Sequence, residues 1–152
     1  MTSALPIAES DSGGIFRRIL VGFDGSAEAR HALRVATALA ADLNGSVRAL
    51  LVVRPPAHAE TPEERSLATE AELENLSKGL SSVDSESGRA LQVSTEVVYA
   101  DDPASAIASY AQEHGFDLVV AGTHGREQTT HRGIGQSLES LLRNHPCPVL
   151  VV

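Results

Sequence analysis

The chain has 152 residues, 42% of them hydrophobic and 3% aromatic, with a formal net charge of −8. That is enough apolar material for one buried core, too few rings for a base-stacking platform, and the wrong sign of charge for non-specific attachment to nucleic acid or an anionic membrane. A single cysteine, Cys147, allows neither an internal disulfide nor a cysteine zinc cluster and suits a reducing, cytoplasmic setting.

The opening MTSALPIAESDSGG lacks the basic segment and apolar core of a signal peptide, and no apolar run approaches the roughly 18 residues of a membrane span. Residues 1–15 read as a flexible tail and 16–152 as one domain. The run IFRRILVGF, centred on Ile19–Val21, is aliphatic enough for a strand buried on both faces. A helix follows, with Ser26 as cap, apolar residues at Ala29, Ala32, Leu33, Ala36, Ala40 and Leu43, and a stop at Asn44–Gly45. Ser46–Val53 is the second strand, ended by Pro55–Pro56.

Thr61, Pro62 and Glu64 then form a capping box with proline at the first helical position. Leu67, Leu73, Leu76, Leu80 and Val83 are expected to line one apolar edge of this helix, and Glu60, Glu63, Glu64, Glu70, Glu72 and Glu74 its solvated side. VDSESGR is expected to be a loop. LQVSTEVVY alternates, with Leu91, Val93, Thr95, Val97 and Tyr99 on one face, as in a strand at or near an edge. Asp102–Pro103 opens a third helix that Gly115 stops; Asp101–Asp102 suits a cap better than a catalytic pair. FDLVVAGT is a fourth strand. SLESLLRNH is a short last helix with Leu138, Leu141 and Leu142 on one side, and PCPVLVV a fifth strand, entered by Cys147 as a small buried residue.

Strands alternating with helices predict an α/β domain: an open parallel sheet with helices on both faces. Ligands of such sheets sit beyond the carboxyl ends of the strands, where strand order reverses. Two segments could open there, GFDGS after the first strand and AGTHGREQTTHRGIGQS after the fourth. A Walker lysine is absent, and Gly133-Ile134-Gly135-Gln136-Ser137-Leu138 ends in leucine where a dinucleotide fingerprint needs its third glycine. What remains is Gly122-x2-Gly125-x9-Gly135. Its glycines can leave amides uncovered and aim them at one anion, and a helix start near Gln136 adds its positive end. Phosphate is the natural guest; an ordinary glycine-rich connection is the alternative. Asp24 is either a ligand contact or the first acid of its helix. His124 and His131 lack a third metal ligand nearby, no receiver-type acidic pocket is present, and no G-x-S-x-G elbow or catalytic triad is evident.

These residues resemble the universal stress protein family. The spacing of Gly122, Gly125 and Gly135, the opening RRILVGFDGS, the phrase FDLVVAGTHGR and the ending HPCPVLVV carry the resemblance, from about Arg17 to Val152. It implies a Rossmann-like fold, related to the adenine nucleotide alpha hydrolases, with strand order 3-2-1-4-5. It also implies ATP binding with Mg²⁺ in those members that bind nucleotide, and a homodimer through the last strand, Pro148–Val152. Carried onto this chain, Asp24 falls beside the nucleotide and Val52 at the adenine edge. Gly122, His124, Gly125 and Arg126 form one phosphate-side turn, and Gly135, Gln136 and Ser137 the other. The family's usual Ser or Thr after the last glycine is Gln136 here, and the spacer REQTTHRGI is more polar than is common. The resemblance therefore implies an ATP-binding stress-response module that is at most a weak ATPase with no catalytic residue to name. The alternative is a dimeric interaction module without nucleotide. A nucleotidyl-transferring enzyme is disfavoured by the lack of a substrate domain.

Overall fold

A computed structural model describes residues 15–54, 60–87, 93–123 and 136–152, side chains excepted at 82–87 and 136. In chain order the elements are β1 (Arg18–Phe23), α1 (Ala27–Leu43), β2 (Ser46–Val53), α2 (Pro62–Ser87), β3 (Val93–Tyr99), α3 (Pro103–Glu113), β4 (Leu118–Ala121), α4 (Gln136–Arg143) and β5 (Val149–Val151). The five strands form one parallel sheet in the order β3-β2-β1-β4-β5. The chain thus winds outward from β1 to β3, returns to the other side of β1, and winds outward again.

Two cores follow from this path. Successive strand residues face opposite sides, so Ile19, Val21, Phe23, Ala49 and Leu51 meet α1 and Leu76 of α2, whereas Leu20, Leu50 and Val119 meet α3 and α4. The centre of β1, from Ile19 to Val21, has no exposed surface. Each such aliphatic side chain contributes on the order of 1.5–3 kcal/mol through burial.

The helix ends are chemically marked. The Ala29 amide donates to Ser26 Oγ at 3.0 Å, and Asn44 closes α1 in the left-handed region at φ 56°. The Glu64 amide donates to Thr61 Oγ1 and the Thr61 amide to Glu64 Oε2, both at 3.2 Å, which completes the capping box. The Ala104 amide donates to Asp102 Oδ1, and Gly115 takes φ 66° after α3.

Three expectations are corrected. VDSESGR does not begin a loop: α2 continues through Ser87. Serine and aspartate are only weakly unfavourable inside a helix and no proline intervenes to stop it. Leu67 does not share the apolar edge of α2 but is 67% exposed. At about 100° per residue the nine steps from Leu67 to Leu76 place the two on opposite sides of the helix. On β3, Val93 and Val97 do pack against the α1–α2 core, but Thr95 and Tyr99 are exposed, Tyr99 at 61%. β3 is nonetheless an edge strand, with Ser94, Thr95, Glu96 and Tyr99 exposed. The expected tail residues 1–14, Pro55–Pro56, Gly88 and Leu91 lie outside the described residues.

Candidate functional site

The reversal of strand order falls between β1 and β4, which pair directly, Val21 opposite Val120. Their carboxyl ends lead into the two segments singled out in the sequence. After β1 the chain turns through Asp24, Gly25 and Ser26 into α1. The Ser26 amide donates to Asp24 Oδ1 at 2.9 Å, so the half-buried carboxylate is held in a tight local turn. Gly25 has φ 81°, a conformation that side chains disfavour. The Arg30 guanidinium donates to the Gly25 carbonyl at 2.9 Å and fastens the turn to the next turn of α1.

Gly122 leaves β4 against the first turn of α1, next in the chain after that turn. A Cβ at Gly122 would come within 2.7 Å of Glu28 Cβ and 3.1 Å of the Glu28 backbone. The lack of a side chain at Gly122 is thus required by contact with the first turn of α1, whatever else the glycine offers. Asp24, Ser26 and Gly122 are held together by packing of neighbouring strand ends onto one helix start. Val52, one strand further, is half-buried beside Val98 and packs toward the α3–α4 core. Gln136 is the first residue of α4, and Ser137, in the same first turn, is exposed. His124, Gly125, Arg126 and Gly135 lie outside the described residues, as does His131.

Two residues at this end of the sheet were not singled out as site residues. Arg54 follows β2, and its charge reaches Asp102 at the start of α3. The Ser105 hydroxyl, donating to Asp102 Oδ2 at 2.6 Å, holds that carboxyl below its ordinary value, with the Ala104 and Ser105 amides and Arg54 acting in the same direction. The signal was present as an arginine directly after the second strand, but a single arginine in sequence does not reveal which strand ends are neighbours. At the opposite end of the sheet Cys147, expected to be buried, is only half-buried before β5, and burial pushes its thiol up, with Asp117 adding to the effect. Such a thiol is a poor nucleophile at neutral pH. Among the described residues no three His, Cys, Asp or Glu side chains gather as a metal site, and no helix is long and apolar enough to cross a membrane.

An open parallel sheet, with a fastened acidic turn and a glycine exit packed together at its reversal point, defines an α/β domain whose ligand crevice would lie at the carboxyl ends of β1 and β4. Comparison with known proteins gives the family. The model of the universal stress protein family matches residues 15–152, and the chain belongs to that family. It is 30% identical over 145 residues to the universal stress protein Sll1654 of Synechocystis, covering 93% of this chain and 89% of that one. Among solved structures it is similar to the universal stress protein UspA from Lactobacillus plantarum, at 25% identity and a TM-score of 0.74, covering 91% of this chain and 99% of that one. A universal stress protein from Archaeoglobus fulgidus, solved in complex with dAMP, shares the fold at 20% identity and a TM-score of 0.64, covering 91% and 98% of the two chains.

Proposed function

We propose that this chain is a stress-response module that binds an adenine nucleotide, ATP with Mg²⁺, at the carboxyl ends of β1 and β4. The observation that carries the reading is the contact of Gly122 with the first turn of α1, directly beside the Asp24–Ser26 turn. It puts an acidic turn and the entry to the Gly122-x2-Gly125-x9-Gly135 spacing at one place, at the reversal point where ligands of open α/β sheets sit. Asp24 then stands near the ribose or the metal and Val52 at the adenine edge. Amides of Gly122, His124, Gly125 and Arg126, and of Gly135, Gln136 and Ser137, would receive the phosphates, with the positive end of α4 behind them. The dAMP complex of the Archaeoglobus relative supports the reading only to the extent that this fold accommodates an adenine nucleotide.

Mg²⁺ bound with ATP would neutralise phosphate charge; Asp24 is the protein carboxylate suited to sit beside it. Asp102, the tuned carboxylate at the strand ends, is held below its ordinary value and is thereby a weaker general base, so hydrolysis should be slow at most. The output would pass through a homodimer along β5, where Val149 and Val151 are half-buried and Leu150 is 36% exposed. An open aliphatic edge of this kind favours covering by a second strand.

Calorimetric titration with ATP, ADP and AMP tests the proposal. Heat is expected at sub-millimolar ATP, and Gly125→Val should abolish it while circular dichroism stays unchanged. Silence with all three nucleotides would leave the second reading, a dimeric interaction module without nucleotide, which Gln136 in place of a hydroxyl favours. If ATP binds, Gln136→Ser should tighten it by about tenfold or less, the scale of one net hydrogen bond.

A further inference from the structure

The opposite end of the sheet, at the amino ends of the strands, carries a cluster that the nucleotide reading does not use. Arg18 opens β1, Arg48 stands near the start of β2, and Ser94 lies beside Arg48 on β3. Phe116, just before β4, is almost fully buried, and both guanidinium carbons lie over its ring, Arg18 at 5.0 Å and Arg48 at 5.7 Å from the centroid. Tyr110, at the end of α3, completes the group, with the His114 ring stacked on it at 4.0 Å.

The Arg48 guanidinium is held rather than free to sweep. Its Nε donates to Ser94 Oγ at 3.1 Å and its Nη1 to the Tyr110 hydroxyl at 2.9 Å. Both acceptors are neutral, so neither cancels the charge, and an arginine's remaining donors stay available in a fixed fork. The Arg18 side chain is exposed and, among the described residues, makes no hydrogen bond and no ion pair. The neighbouring acid, Asp117, uses its two oxygens on the Arg17 and Arg18 amides, at 2.9 and 3.0 Å. Glu96 and Glu113 are exposed, and among the described residues neither pairs with these arginines. The carboxyl end of α3 offsets part of the charge, but a helix end supplies only about half an elementary charge. Asp117 keeps its charge while it accepts from those two neutral amides, so two guanidiniums set against one carboxylate and a helix end leave about half a positive charge in excess, in a chain whose net charge is −8.

We propose that Arg18 and Arg48, over Phe116, form a docking site for the carboxylate side chains of an acidic segment in a partner protein. Charge complementarity and the pre-set fork of Arg48 fit carboxylates in bidentate geometry. A nucleic acid strand fits less well, because its phosphates run on past two arginines onto a surface of net negative charge. The patch lies at the other end of the sheet from Asp24 and Gly122, so a partner seated on it leaves the proposed nucleotide crevice uncovered.

The test is fluorescence anisotropy of a fluorescein-labelled oligoglutamate peptide titrated with the full chain at low ionic strength. Saturable binding is expected, weakening as salt is added. The double variant Arg18→Gln/Arg48→Gln should lose about tenfold or more in affinity. Arg143→Gln, which removes an exposed arginine paired with Glu139, should bind as the parent does, and so should Gly125→Val, which separates this site from the nucleotide reading. Should loss of the Arg48 hydrogen bonds unfold the chain, Arg18→Glu carries the test alone, since that side chain is exposed and should by itself repel the peptide. Equal affinity in the arginine variants overturns the proposal. So does displacement of the peptide by inorganic phosphate at equal concentration, or equally tight binding of an oligouridylate.

Discussion

Helices α1 and α2 cover the same face of the sheet, yet they are attached in different ways. Over its 17 residues α1 buries Ala29, Ala32, Leu33, Ala36, Thr37 and Ala40. Four of those six are alanines, so its backbone lies close on β1 and β4, and the stripe extends along most of its length. The longer α2, with 26 residues, has Leu76 as its fully buried side chain among those described, with Leu73 and Leu80 partly buried beside it. Its first ten residues, through Glu70 and Ala71, are almost all exposed. Length therefore says little about how firmly a helix is held. What matters is the number of consecutive turns that present a side chain to the core, because tertiary packing of one face supplies most helix stability.

Five substitutions can break or sharpen this contrast. Leu33→Ala and Leu76→Ala each remove a buried leucine and should each cost about 2–5 kcal/mol in urea unfolding. They should differ in reach. Loss of Leu33 leaves other anchors along α1, so its amides keep their protection in hydrogen exchange. Loss of Leu76 should release α2 locally and speed exchange across Pro62–Lys78, and equal exchange in both variants would end the single-anchor account. Next in size are the caps. Ser26→Ala should cost about 1 kcal/mol of global stability, whereas Thr61→Ala, at an exposed and loosely held helix start, should fray the first turn with a smaller change in the denaturation midpoint. The smallest effect is expected at Leu67, where Leu67→Ser should stay within about 0.5 kcal/mol of the parent. A larger loss would mean that the exposed end of α2 is covered in solution.

Much of the architecture could be read in the sequence because local chemistry and global path agree. Ser26, Thr61 and Asp102 each cap the helix they were expected to cap, and Asn44 and Gly115 supply the left-handed residues at the stops. The uninterrupted aliphatic run around Ile19–Val21 marks the central strand, and the alternation in VSTEVVY marks an edge. Leucine spacing in α2 is a poorer guide. Leu67 is helical and apolar but out of phase with Leu76, and composition without phase does not fix a face. The serine-rich run after Leu80 looks like a loop by residue type, yet helix propensities differ by too little to stop a helix already under way.

For the site, sequence supplied residue types and the structure supplied adjacency. Asp24 and Gly122 stand 98 positions apart in the chain and come to the same end of the sheet because β1 and β4 are neighbours. The reason for glycine at position 122 is visible only in three dimensions, as contact with Glu28. The arginines at the amino ends of β1 and β2 were equally out of reach, because nothing in their spacing reveals that both would lie over Phe116.

Gly79 gives the loosely held helix a further significance. It lies against the Phe23 ring and near Gly25, where an added Cβ would sit 3.3 Å from Phe23 Cζ and 3.8 Å from Gly25 Cα. The middle of α2 therefore rests on the turn that carries Asp24. Docking of α2 and the conformation of that turn share one interface, so their free energies are linked. Whatever stiffens the turn holds the helix down by some amount, and holding the helix down stiffens the turn by the same amount. The loosely held helix is in this way a reporter, through its opening equilibrium, of what happens at the end of β1.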